Sequence, residues 1–327
     1  MDDRIKALPS FPLVCLLTSL ATRCTLGAEM RSEHLNGASG PHDRFREYRE
    51  ERFRQRPDLC LHSEAEAEAF IDDVGICLFQ PNRGVMLPSL WQAVAGVSRA
   101  APRWGEHDQM YFRAWNWKDS IFSRGRVFYG KAFGNFRTFI SRRLLPHFYA
   151  ISDMNYGGED DDFLELYHDG KLSLDARNIY AAILEHGPSS TTVLRQKSGL
   201  AGGGVAARRF ERALTELQRG LMVSVVGVSA DNAWKYSFRY NLVTRQFPAE
   251  VLAARELTSR EAMLDLLREY VSLVGETTTQ DVGRLFGWRC ERLNRLARAL
   301  AAGGDIGLEE EGSQVRLVAA VDQTRTR

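Results

Sequence analysis

SLDARNIYAAILEHGPSSTTVLRQKSGLAGGGVAARRFERALTELQRGLMVSVVGV, residues 173–228, is the stretch on which the reading of the fold turns. The Ser173 hydroxyl can accept an N–H that a first helical turn leaves without a carbonyl, so it caps a helix. Ile179, Ile183 and Leu184 then fall on one face, and Gly187-Pro188 ends that helix. Ser189 and Ser190 open a shorter helix, Thr191 to Gln196, and Gly202-Gly203-Gly204 reads as a turn. A third helix runs from Val205 to Arg219 with Phe210, Ala213, Leu214 and Leu217 inward, until Gly220 stops it. Two β-rich runs follow, Leu221 to Val228 and Trp234 to Tyr240, across a turn at Ser229 to Ala233.

The same order returns from Thr258. Ser259 begins a helix carrying Met263, Leu266, Leu267, Tyr270 and Val271, which Gly275 ends. Thr278 or Thr279 caps Gln280 to Phe286, Gly287 turns the chain, and Trp288 to Ala302 makes a longer helix with Leu293, Leu296 and Leu300 inward. Gly303-Gly304 closes it, and Ile306 to Glu310 with Gln314 to Ala319 form a hairpin. Helix, helix, longer helix and hairpin is the order of a winged helix, and two such units in succession support each other. The fold class expected is mainly α with small β-hairpins (α+β), as tandem winged-helix domains.

The chain has 327 residues, enough for two or three domains, with 44% hydrophobic and 26% charged residues. A net charge of +1 excludes a basic arm that coats nucleic acid indiscriminately, but it leaves room for local basic faces. The five cysteines, Cys15, Cys24, Cys60, Cys77 and Cys290, show no CxxC spacing, and the histidines show no ligand spacing. No metal, cofactor or disulfide framework is therefore expected. The apolar run Phe11 to Ala21 is too short to span a bilayer, and Asp2 and Asp3 spoil its start as a signal peptide. A signal-like or disordered leader and a cytoplasmic location are the expectations. Arg44 to Arg56 reads as an exposed helix or mobile arm. Ser63 caps a helix beginning Glu64-Ala65-Glu66, Ile76 to Phe79 reads as a strand, and Leu87 to Val94 as a helix with Ser89 near its start.

Two basic features point to double-stranded DNA as the partner. A winged helix places its third helix in the major groove, so the outward face must meet phosphates and base edges. In the last unit that helix bears Arg289, Arg292, Arg295 and Arg298, whose steps of three drift around the axis by about 60° each into a slanting band. The preceding unit offers Arg208, Arg209 and Arg212, diluted by Glu211 and Glu216, and Glu309 to Glu311 make the last wing a poor phosphate contact. The second feature is Met110 to Ser152, rich in aromatics, with Arg124, Arg126, Lys131, Arg137, Arg142 and Arg143 and no acid between Asp119 and Asp153. Cations interleaved with rings can pair phosphates and stack on bases; an aromatic core with a basic rim gives the same pattern. An acid-rich loop from Glu159 to Asp162 marks a boundary.

Leu87-Pro-Ser-Leu-Trp-Gln-Ala-Val94, Trp115-Asn-Trp-Lys-Asp119, Tyr129-Gly-Lys131 and Leu172 to Gln218 resemble the AlkZ-type DNA glycosylase-like winged-helix family, from about Ser63 to the C-terminus. The resemblance implies tandem winged helices around a basic DNA channel, excision of alkylated or crosslinked bases, and a further N-terminal winged helix at Ser63 to Gly96. The division expected is a leader at 1–40, an N-terminal winged-helix-like and basic aromatic region at 41–160, and winged-helix domains at 161–250 and 251–327. The family's Gln-x-Gln or Gln-x-Asp pair is absent: Gln80-Pro-Asn82, Gln92-Ala-Val94, Gln109-Met-Tyr111 and Gln280-Asp-Val282 all fail. Base excision needs a carboxylate near a pocket with rings to stack on the extruded base. Asp119, beside the stacking candidates Trp115 and Trp117, is the carboxylate to consider; a salt-bridge or turn role is the competing reading. A DNA-binding regulator without chemistry, and a protein-interaction scaffold, are the alternative functions.

Overall fold

The computed structural model describes residues 45–102, 106–154, 162–311 and 314–320. The expectations for the leader and for Glu159 to Asp161 lie outside the described residues. A short helix, α1 (Arg46–Arg52), comes first. Then α2 (Glu64–Val74), β1 (Ile76–Leu78), α3 (Leu90–Ala95), α4 (Gln109–Ser123), β2 (Val127–Phe133) and β3 (Phe136–Ser141) form a first unit, followed by α5 (Leu145–Ala150) and α6 (Asp162–His168). The second unit is α7 (Leu174–His186), β4 (Ser189–Ser190), α8 (Thr191–Lys197), α9 (Gly204–Arg219), β5 (Val223–Ser229) and β6 (Ser237–Leu242). After α10 (Val243–Gln246) and α11 (Pro248–Ala254) comes the third: α12 (Ser259–Val274), β7 (Glu276–Thr278), α13 (Thr279–Phe286), α14 (Cys290–Ala302), β8 (Ile306–Glu311) and β9 (Gln314–Ala319).

Each unit runs helix, short strand, short helix, longer helix, hairpin. Each builds an antiparallel three-stranded sheet in the same order, with the second hairpin strand in the centre: β1-β3-β2, β4-β6-β5 and β7-β9-β8. The protein is thus a mixed α+β chain with small sheets. Hydroxyl caps set the helix starts, because Ser63, Ser89, Ser173, Ser190, Thr258 and Thr278 each accept an N–H from the first turn.

The expected elements recur with several differences, among them the short strands β4 and β7, which complete the later two sheets. Met110 to Ser152 holds the third helix and hairpin of the first unit, so that unit extends well beyond Gly96. Gly204 lies inside α9, with Gly203 as its cap. Trp234 to Tyr236 precede β6, because the Asn232 side chain holds the turn: its Oδ1 accepts from the Trp234 and Tyr236 N–H groups, and its Nδ2 donates to the Tyr236 carbonyl.

The first unit is where the others meet. Its edge strand β2 faces β5, the edge of the second sheet, and Ser224 Oγ bridges them by accepting from the Tyr129 N–H at 3.3 Å. Two open edges thereby cover each other. Toward the third unit, Phe133 on the hairpin tip and Phe148 of α5 pack on Phe286 of α13, with centroids 5.5 and 6.0 Å away. One hydrophobic cluster runs through all three units, from Phe53 to Leu317.

Of the two readings of the arginine-rich segment near residue 50, the exposed helix is found, with no residue of α1 buried, but it is anchored rather than a free arm. Phe45 and Phe53 are buried, Tyr48 Oη donates to the Ser272 carbonyl, and Arg49 donates to that of Val274. The helix α1 thus docks on the end of α12. Gly275 there has φ +78°, and a Cβ on it would come 2.5 Å from Phe45. Gly275→Ala is expected to cost about 1–3 kcal/mol and to expose Arg52 to Arg56 to trypsin. Unchanged melting temperature and cleavage pattern would show that the docking does not constrain this glycine.

Candidate nucleic-acid interface

The acid-free stretch between Asp119 and Asp153 is met by acids from elsewhere. Arg124 pairs with Glu64 and Glu68 of α2, and Arg126 lies 3.5 Å from Glu68. Lys131 reaches Glu211 and Thr215 of α9, and Arg137 lies over the Phe238 ring and against Gln218. Arg142 binds the buried Glu250 at 2.5 Å, and Arg143 binds Glu269 at 2.9 Å. These six cations hold α2 to the corner between α4 and β2 within the first unit and tie α9, α11 and α12 to that unit. The aromatics among them are mostly core: Phe122, Phe128, Tyr129, Phe133, Phe139, Phe148 and Tyr149 are all buried.

The third helices present a different picture. Arg208 and Arg212 on α9, and Arg289 and Arg295 at and on α14, are exposed and form no ion pair within the described chain. Arg209 is held by Asp175 in a two-pronged contact of 2.6 and 2.8 Å. Arg292 donates to Ser259 Oγ, and Arg298 lies 3.6 Å from Glu310 of the hairpin. The acids that dilute the α9 band are both engaged, Glu211 with Lys131 and Glu216 with the Ser173 N–H and hydroxyl. Among the described helices of eight residues or more, only α9 and α14 have no side-chain cap. Their first N–H groups, where the helix dipole is positive, stay open beside unpaired arginines.

The third helix of the first unit is used differently. Its residues pack on β5, and its outer side shows Phe112, Arg113 and Asn116. Trp117 is half-buried, with the Arg113 guanidinium 5.9 Å from its ring. On the inner side Lys118 has no exposed surface. Its ammonium sits 4.1 Å from the Trp115 ring centroid and 5.2–5.7 Å from those of Phe122, Phe238, Phe79, Tyr129 and Tyr236. Lys118 Nζ donates to Asp119 Oδ1 and to Tyr236 Oη at 3.0 Å, and the Tyr236 hydroxyl donates to the same Oδ1 at 2.9 Å. One carboxylate oxygen of Asp119 thus takes two donors, while Oδ2 has none and the side chain keeps 19% of its surface. Burial pushes the Lys118 amine down to about 8 against the opposing pull of Asp119, and burial also raises the Tyr236 hydroxyl.

The structure therefore gathers Trp115 and Asp119 and leaves Trp117 outside. It adds Lys118, a neighbour in sequence, and Tyr236, which nothing in the sequence connects to residue 119. No cluster of potential metal ligands occurs among the described residues, and no helix there is long and apolar enough to cross a membrane. Cys60, Cys77 and Cys290 are free thiols.

A family model described as AlkZ related matches residues 61–287. The chain belongs to the AlkZ-related family. The match takes in the first two units and ends after α13, so the Lys118–Asp119–Tyr236 centre and α9 lie inside the AlkZ-related portion and α14 outside it. Neither curated proteins nor solved structures give a match.

A titration tests the buried centre. An ordinary lysine holds its proton up to about 10.5, whereas Lys118 releases it near 8. Between those values the unfolded chain binds more protons at this position than the folded one, so this group makes stability rise with pH across that window. An NMR titration of the Lys118 Cε is expected to show a midpoint near 8. A midpoint at the ordinary lysine value would mean that water reaches the amine.

Proposed function

We propose that this chain binds double-stranded DNA through tandem winged helices, with α9 and α14 as the contacting helices, in a role linked to DNA repair. Ion pairing carries the reading: Arg208, Arg212, Arg289 and Arg295 are exposed and uncommitted, whereas the cations between 124 and 143 are consumed inside the chain. Unpaired guanidinium groups beside an uncapped helix start suit phosphate oxygens, which accept from both. With a net charge of +1, the attraction is confined to these bands. Membership of the AlkZ-related family supports a DNA glycosylase-like relationship, and the three helix–strand–helix–helix–hairpin units support the winged-helix assignment.

A second reading adds chemistry. The family's glutamine pair is absent, but Asp119 has one oxygen anchored and the other open beside Trp115 and Tyr236. A held carboxylate next to rings is what release of an extruded base requires. A regulator or scaffold without chemistry is the outcome in which this centre serves only to join the first two units.

Gel-shift titrations at several salt concentrations test the first reading. Arg208→Ala with Arg212→Ala, or Arg289→Ala with Arg295→Ala, is expected to weaken binding on any duplex and to flatten the salt slope by about 1 for each phosphate no longer neutralised. Arg124→Ala is expected to leave that slope unchanged. Affinity insensitive to salt, or equal in all the variants, would overturn the assignment. On duplexes carrying alkylated bases, release of the base by the wild type and its loss in Asp119→Asn would favour the second reading; binding without release would leave the first.

A further inference from the structure

Lys118 plays no part in holding DNA, yet it occupies a costly position. A desolvated ammonium among six rings loses its water, and an apolar side chain of similar volume would pack there without that loss. Its surroundings are lopsided. Phe79, Phe122 and Tyr129 close off the deep side and are buried. The polar side consists of Asp119 and Tyr236, both partly exposed, with Trp115 beside them. The amine thus lies one hydrogen bond beneath the surface, under a carboxylate with an open oxygen and a hydroxyl at the end of the 230–236 turn. A compact primary amine in dry, ring-lined surroundings is the form in which lysine acts as a nucleophile toward carbonyl carbon. A guanidinium would keep the charge but could not do this chemistry.

We propose that Lys118 is a nucleophilic amine that condenses with the sugar aldehyde of an abasic site in DNA, with Asp119 as proton acceptor; this rests on the DNA-binding reading above. The neutral amine adds to C1′ of the ring-opened deoxyribose, forming the C–N bond, and loss of water leaves an iminium ion. Asp119 Oδ2 takes a proton from C2′. The released pair moves toward C1′ as an enamine and then expels the 3′ phosphate, breaking the C3′–O bond. Water hydrolyses the conjugated iminium, returning the amine and an unsaturated aldehyde on the 5′ fragment. The sequence needs no oxidant, reductant or cofactor.

Borohydride trapping tests this on the full chain. The protein is incubated with a duplex bearing one abasic site, or with the same duplex intact, then reduced, resolved on a denaturing gel and mapped by peptide mass. The expected result is a covalent adduct on Lys118 with the abasic duplex alone, together with strand cleavage 3′ to the site. Lys118→Arg is expected to lower the trapped fraction by roughly tenfold or more, while Arg124→Ala, whose side chain pairs with Glu64 and Glu68 away from this centre, keeps the adduct. Mapping on the wild type keeps the test valid even where Lys118→Arg fails to fold. Salt-dependent binding of the abasic duplex with no adduct, or an adduct only on another lysine, would overturn the assignment and leave the DNA reading standing. Absence of binding to any duplex would overturn that reading and the lyase assignment with it.

Discussion

An ammonium group shut away from water has to be compensated by the protein around it, and at Lys118 the compensation comes from two units at once. Trp115, Phe122 and Asp119 belong to α4, whereas Tyr236 and Phe238 belong to the turn and strand of the second unit. Neither unit alone could bury the charge. Once α4 lies against β5 on these terms, the edge strands β2 and β5 are brought close enough for Ser224 to bridge them, and the Lys131 N–H can donate to Gln218 of α9. The same placement gives Asp119 its asymmetry, one oxygen held by two donors and the other left toward solvent.

Charge is used in two ways in this chain, and proximity to acids separates them. The cations from Arg124 to Arg143 look like a nucleic-acid surface only along the sequence. In space Glu64, Glu68, Glu211, Glu250 and Glu269 arrive from four other helices to meet them. The pair between Arg142 and the buried Glu250 is the strongest case, since a carboxylate so enclosed has little access to water. On α9 and α14 the balance is reversed. On α9 the diluting acids are engaged, Glu216 with the cap of α7 through Ser173 and Glu211 with Lys131, whereas α14 carries an exposed Glu291 in its first turn; Arg208, Arg212, Arg289 and Arg295 stay outside any ion pair among the described residues.

Three units of one design have thus diverged in the use of their third helix. That of the first unit is buried against its neighbour and carries the lysine centre. That of the second leaves Arg208 and Arg212 exposed, while Asp175 holds Arg209 and Arg219 at its end donates to the Gly134 carbonyl of the first unit's hairpin. That of the third is open along its arginine band apart from the contacts to Ser259 and Glu310. The first unit gains the central position at the expense of an exposed third helix.

The local elements were largely legible in the residues themselves. Hydroxyl caps, glycine stops and apolar positions three and four apart depend on neighbours within a turn or two, so the helices of the last two units start and end within a few residues of where the sequence puts them. The outward placement of Arg208, Arg212, Arg289 and Arg295 followed from the same periodicity. The first unit was harder to read, because an exposed Phe112 and a buried Lys118 blur the polarity of its third helix, and its hairpin strands bury consecutive residues and lose the alternation that marks an exposed face. Pairing was not legible at all. Whether Arg124 meets a phosphate or Glu64, whether Arg49 waves free or grips the end of α12, and whether Asp119 stands alone or shares an oxygen with Lys118 and Tyr236 are all decided by segments dozens to hundreds of residues apart. Coulomb energy and desolvation depend on distance in space, and only the packed chain sets that distance.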